Sequence, residues 1–228
     1  MVSLLTTYEE FLERVESLGF MAFTSFLPGL PSLSAETPAN LWHTGMDTDP
    51  WRWKDRAAEE RMLAYGCILA GHKGFVTRRM YPLFYAAFHP RESMPDRWKG
   101  GMVNQMTWRI WELFEESNML NISQIRSMLG VSRSNGLSAS DTAIRILQQE
   151  YYITMDGSEQ KINAKGEPYG WAVNRYSRVQ DWAPQEWLDG TGDWPVEEAQ
   201  SAILEAGIAM SDGVDRQALV RKLGFGKV

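Results

Sequence analysis

The sequence predicts a mainly α-helical α+β protein with a small β hairpin. A winged helix-turn-helix follows an N-terminal helical domain, with room for a second, degenerate winged helix. Three observations predict this fold class. Three amphipathic segments with capping signals follow one another over residues 103–149. Two β-branched and aromatic runs, residues 151–155 and 169–179, come next and bracket a polar stretch. Positive charge concentrates over the same region: residues 51–180 hold 18 basic and 13 acidic residues, against 1 and 7 in 1–50 and 4 and 9 in 181–228. Three helices and then a hairpin is the outline of a fold that lays its third helix in the major groove of duplex DNA.

The first helix of this unit begins near Val103. Val103, Met106, Ile110, Leu113 and Phe114 recur at helical spacing, Trp108 and Trp111 widen the stripe, and Glu112, Glu115 and Glu116 take the other side. The second helix is short. Asn121 caps it, Gln124 reaches back to the cap, Ile122, Ile125 and Leu129 face inward, and Gly130 supplies a left-handed exit. A polar turn with Arg133, Asn135 and Gly136 leads to the third helix, with Ser138 as cap and Asp141 as capping-box partner. Ala143, Ile144 and Leu147 anchor that helix. Ser138, Thr142, Arg145 and Gln149 recur at i, i+4, i+7 and i+11 as a polar stripe able to pair with base edges. A solvated helix face gives the same stripe. In the hairpin, Asp156-Gly157 reads as the turn, and Lys161, Lys165 and Arg175 lie on or near a wing. Wing lysines commonly meet phosphates, and they also keep an edge hairpin soluble.

Elsewhere, residues 7–18 form an amphipathic helix stopped by Gly19, and residues 20–26 read as a buried strand or an irregular apolar segment. Residues 27–50 are loop-like. Residues 53–69 read as one helix with charges of alternating sign and a core face of Met62, Tyr65 and Leu69, broken by Gly71 and Gly74. Gly71-His72-Lys73-Gly74 reads as a turn. Thr77 is placed to cap a helix running to Phe88, with Pro82 near its first turn. The charged, Pro- and Gly-containing stretch 89–101 suggests a boundary, giving domains 1–100, 101–180 and 181–228. In the last, Trp182, Trp187 and Trp194 plug back onto the body, and residues 196–210 and 215–223 form two closing helices. No internal repeat shows in the sequence.

With 44% apolar residues and ten tryptophans the chain can build a real core, which excludes disorder. No run approaches the roughly 18 apolar residues of a membrane span, and the N-terminus lacks the basic region of a secretory signal. Cys67 is alone among apolar neighbours, reads as an inert thiol, and fits a reducing cytoplasm. The net charge of −6 argues against a general nucleic-acid binder, while the local excess of +5 over residues 51–180 allows conditional binding.

The densest group of polar, titratable and aromatic residues is the loop Trp42-His43-Thr44-Gly45-Met46-Asp47-Thr48-Asp49-Pro50-Trp51. His43, Asp47 and Asp49 are the candidate catalytic groups, as a carboxylate near an aromatic wall has a raised pKa. Trp42, Trp51 and Trp53 are the candidate base-stacking rings. A plainer reading makes Asp47 and Asp49 caps of the helix after Pro50. Three histidines without paired spacing give no metal motif, so neither metal nor cofactor is expected.

Leu41-Trp42, Asp49-Pro50, Arg56 onward to Tyr65-Gly66, and Tyr81-Pro82-Leu83 resemble the middle of the AlkZ/YcaQ group of helix-turn-helix DNA glycosylases. Gly166-Glu167-Pro168-Tyr169-Gly170-Trp171 and Trp42-His43-Thr44-Gly45 are similar to the small AlkZ-related proteins. The resemblance implies tandem winged helices, double-stranded DNA as partner, and a place in DNA repair. The family's enzymes carry a Gln-x-Gln or Gln-x-Asp motif shortly before the Leu-Trp pair and a β-barrel. Here Met21-Ala22-Phe23-Thr24-Ser25-Phe26 holds neither Gln nor Asp, and the stretch after Gln180 leaves no barrel. Three readings stay open: a DNA-binding module, a reduced glycosylase acting through the Trp42–Trp53 loop, and a protein-interaction module without DNA affinity.

Overall fold

The computed structural model describes residues 4–132, 134–163 and 165–226 and shows a mixed α+β fold with two small antiparallel sheets. The chain starts with α1 (Tyr8–Leu18). Thr7 and Glu10 form a reciprocal capping box, and Gly19 leaves at φ 89°, as an apolar stripe bounded by capping residues requires. Then come β1 (Phe20–Ala22), α2 (Leu33–Glu36), a 3-10 turn at Ala39–Leu41, α3 (Pro50–Glu59), β2 (Ala64–Leu69) and β3 (His72–Val76). The three strands pair antiparallel in the order β1-β3-β2.

The helix expected over residues 53–69 is therefore two elements. It ends at Glu59, Arg61 takes a left-handed φ of 55°, and the chain re-enters as a strand. The reason is burial on both sides. Met21, Tyr65 and Phe75 point into one core, while Phe20, Ala22, Ala64, Ile68 and Val76 point into the other. A strand buried on both faces loses the apolar–polar alternation that marks strands in a sequence. The turn Ala70-Gly71, with φ of 52° and 85°, is the left-handed pair that suits a two-residue hairpin.

Two helices, α4 (Tyr81–Phe88) and α5 (Met94–Lys99), connect to the next unit. Thr77 does not cap α4; Met80 stands at that position and the Thr77 hydroxyl is buried without a partner among the described residues. The second unit runs α6 (Gln105–Glu116), β4 (Met119–Asn121), α7 (Ile122–Met128), α8 (Leu137–Gln149), β5 (Ile153–Glu159) and β6 (Val173–Arg178). Its strands pair antiparallel in the order β4-β6-β5. The capping box of Asn121 and Gln124 forms as its spacing predicts. The start of α8 differs. Gly136, at φ 78°, holds the cap position, Ser138 lies inside the first turn, and Asp141 pairs with Arg126 at 2.7 Å. Asp156-Gly157 is not the hairpin turn. It sits within β5 where the register shifts between Met155 and Ser158, and the hairpin closes farther on, over residues 160–172. Gly157 suits that position because its φ is 104°, a conformation L side chains rarely adopt, and the Glu59 side chain of α3 packs where a Cβ would stand.

The two units repeat one topology: helix, strand, helix, helix, strand, strand, with the first strand paired to the last. No sequence repeat betrays this. The units are fused, since α3 and β2 pack on β5 and α8. Tyr65 and Phe75 share one core with Ile110, Phe114, Ile144 and Tyr176. The chain ends with α9 (Val179–Trp182), α10 (Gln185–Leu188), α11 (Val196–Ala209) and α12 (Arg216–Leu223). Trp182 and Trp187 are buried against the other side of the first sheet, as the plug reading expects, while Trp194 stays 40% exposed.

Candidate nucleic-acid interface

The polar stripe of α8 divides along its length. Ser138, Thr142 and Arg145 are exposed, and with Leu137 and Asp141 they line a shallow hollow. The far end of the helix meets the first hairpin. Gln148 is buried, accepts the Cys67 N–H at 3.1 Å through Oε1 and donates to the Ile144 carbonyl at 3.2 Å. At Gly71 a Cβ would stand 2.7 Å from Arg145 Nη1 and 2.9 Å from Gln149 Oε1, so the hairpin tip rests on the Arg145 and Gln149 side chains. Gln149 is accordingly half-buried.

This contact brings together cations that lie far apart in sequence. Lys73 follows the hairpin turn and is exposed, and Lys222 is exposed on α12. His72 stacks on Phe26 with ring centroids 4.3 Å apart. Burial, then the nearby charges of Lys222 and Arg145, push its pKa below the ordinary imidazole value. Arg145, Lys73 and Lys222 carry no carboxylate partner within 4.0 Å among the described residues. Sequence reasoning missed Lys73 and Lys222. The only local signal was a Lys inside a Gly-rich turn and an Arg-Lys pair near the end of the chain.

On the hairpin, Lys161 is half-buried and Lys165 exposed, with no ion pair among the described residues. Arg175 faces inward instead. Its Nη2 donates to the Asp156 carbonyl at 2.6 Å, and the Asp156 and Glu59 carboxylates lie 3.8 and 3.9 Å away. A guanidinium so neutralised is not available to a phosphate. Arg133 lies outside the described residues.

The Trp42–Trp53 loop and the hairpin enclose a cleft of about 750 Å³ between the two units. Asp49 builds its wall. It is 1% exposed, and its carboxylate accepts from the backbone N–H groups of His43 (3.0 Å), Gly45 (2.9 Å) and Trp51 (2.9 Å). It caps α3, so its candidacy as a catalytic group is replaced by a structural role. Asp47 is 96% exposed beside Arg52 at 3.6 Å. Trp53 is also reassigned: it is 1% exposed, stacks on Phe11 at 5.7 Å and donates to the Asp47 carbonyl, so its ring belongs to the core.

Trp51 and His43 remain at the cleft, joined by Trp171 from the hairpin, while Trp42 is set back against the core, edge-on to Phe23 at 5.6 Å with its indole N–H donating to the Thr37 hydroxyl at 2.9 Å. His43 lies 5.0 Å from Trp51, 6.2 Å from Trp42 and 6.3 Å from Trp171, centroid to centroid. His43 has a φ of 62°, a strained conformation held by its hydrogen bond to Asp49. Lys54, 4% exposed, places Nζ 4.6 Å from the Trp51 ring centre and 2.6 Å from Asp55. Burial lowers its pKa, and the Asp55 charge opposes the shift. Glu59 accepts from the Ser158 N–H at 3.3 Å. Of the four carboxylates that line the cleft, Asp49, Asp55 and Glu59 are thus engaged by a cation or by backbone N–H groups, while Asp47 stays exposed, with Arg52 Nη1 donating to the Gly45 carbonyl instead.

Among the described residues no cluster of His, Cys, Asp and Glu converges as a metal site, and no helix is long and apolar enough to cross a membrane. A family model described as AlkZ related matches residues 5–224. No curated protein and no solved structure matches the chain.

Proposed function

The chain belongs to the AlkZ-related family, and from that premise we propose that it is a DNA-binding protein associated with base repair. In this reading both units are winged helices, since each runs helix, strand, helix, helix, strand, strand with its first strand against its last. The second unit meets duplex DNA. Ser138 and Thr142 enter the major groove from α8, Arg145 on the same helix reaches a phosphate at its rim, Lys161 and Lys165 reach phosphates from the hairpin, and Lys73 and Lys222 extend the cationic face. The first unit does not offer its third helix in the same way, because α3 packs against β5.

The observation that carries the proposal is the exposed Arg145 face, whose cations Arg145, Lys73 and Lys222 the fold assembles from three separate parts of the chain without ion-pair partners among the described residues, while Asp141 in the same hollow is taken up by Arg126 at 2.7 Å. A local patch of this kind outweighs a net charge of −6, because phosphates respond to nearby charge more than to the sum. The engagement of Asp49, Asp55 and Glu59, three of the four carboxylates lining the cleft, supports binding over base excision. Cys67, whose thiol burial raises in pKa, suits the reducing cytoplasm included in this proposal. Fluorescence anisotropy on short duplexes between about 50 and 200 mM salt tests it. Salt-sensitive binding is expected, and no binding at the lowest salt overturns it.

A further inference from the structure

Trp171 is 75% exposed, the most exposed tryptophan of the described residues, yet it does not stand on open surface. It lies at the lip of the interunit cleft with His43 edge-on to it, and Trp51 forms the next wall. The loop that carries it is held in place. Gln160 donates through Nε2 to the Tyr169 carbonyl at 3.0 Å and the Gly170 carbonyl at 3.1 Å. Its Oε1 takes no hydrogen bond from the described residues. Opposite, the buried Asp49 holds His43 in a left-handed conformation. Both sides of the opening are therefore tied by hydrogen bonds, and the space between them falls in the size range of small-molecule sites. Aromatic rings at the mouth and amide groups on the hairpin side suit a planar heterocycle with hydrogen-bonding edges.

Resting on the DNA-binding reading, we propose that this cleft takes one unstacked nucleobase, laid against Trp171 and hydrogen-bonded by Gln160 or Asn174. Lys161 follows Gln160 directly, so the hairpin that brings a cation to the backbone also brings the stacking ring. The role assigned to the cleft is holding the base, since three of its four lining carboxylates, Asp49, Asp55 and Glu59, are already bonded to backbone N–H groups or to Lys54.

The test compares a fully paired duplex with the same duplex carrying one base opposite an abasic site, on the full chain and on Trp171→Ala. One stacking contact makes the unpaired-base duplex bind about 5- to 150-fold tighter. Trp171→Ala abolishes that preference and leaves paired-duplex affinity unchanged, while Trp171→Phe retains part of it. Equal affinity for the two duplexes, or a preference that survives Trp171→Ala, overturns the proposal. Thermal melting checks that the variants fold, and so exposed a side chain leaves the melt unchanged. A second arm titrates free 2-aminopurine riboside by its fluorescence. If no duplex binds but the riboside does, and Trp171→Ala abolishes it, the cleft assignment stands with a soluble source and the DNA reading fails. If neither binds, both fall.

Discussion

Replacing Arg145 by Gln removes one charge from the assembled face while leaving the buried side of α8 intact. Arg145, Lys73, Lys222, Lys161 and Lys165 are the proposed phosphate contacts, none of them in an ion pair with another described residue. Each neutralised phosphate contributes about −0.9 to the slope of log K against log salt, so this set gives a slope of about −4.5. A fourfold rise in salt then weakens binding about 500-fold. Arg145→Gln reduces the slope to about −3.6 and weakens binding at 0.1 M salt about eightfold, or roughly 1.2 kcal/mol. The assay is anisotropy of a labelled duplex titrated at four or more salt concentrations, on two unrelated sequences. An equal loss on both marks a phosphate contact, and an unequal loss marks base reading. Arg175→Gln is the internal control. That guanidinium is neutralised within the fold, so its loss lowers stability and leaves the slope alone. An unchanged slope in Arg145→Gln, or a changed one in Arg175→Gln, refutes the assignment of the face.

Asp49→Ala strands three N–H groups around a buried position. At about 1–3 kcal/mol for an unsatisfied buried group, with water reaching some of them, the net cost is about 3 kcal/mol by urea unfolding. A loss below about 0.5 kcal/mol would contradict the capping role. Trp182→Ala empties a buried site and removes the 3.0 Å bond from Nε1 to the Ala58 carbonyl. It costs about 3–5 kcal/mol, so thermal melting shows whether the C-terminal segment is integral to the fold. Acid lowers stability through His72 and His89, whose pKa values burial depresses below 6.5. Between the folded and unfolded values the unfolded chain binds more protons, so stability falls as pH drops through 6.5. Alkali lowers it through Tyr65, Tyr81, Tyr151 and Tyr176, all raised above 10.0 by burial and Tyr176 to about 12. The unfolded phenols ionise first, so stability is lost above pH 10, and Lys54, shifted downward, blunts the loss. A urea midpoint that is flat from pH 5 to 7 contradicts the first half of this profile.

The sequence by itself determined the elements whose signals are local. The stripe of Val103 to Phe114, the capping boxes of Thr7–Glu10 and Asn121–Gln124, and the stop at Gly19 each act within a turn or two of chain, where spacing is a reliable guide. The plain reading of Asp49 as a helix cap was legible for the same reason. Burial then decided what spacing could not. β2 and β3 lie between two cores, so Tyr65, Ile68 and Phe75 show no polar alternation, and both the first hairpin and the repeated topology stay hidden in the letters. Tertiary contact alone separated Arg145 from Arg175, since a guanidinium is free or neutralised according to which carboxylates the fold places beside it. It also set Lys73 and Lys222 near Arg145, and Trp171 near His43, because distance along the chain says nothing of distance across a packed interface between two fused units.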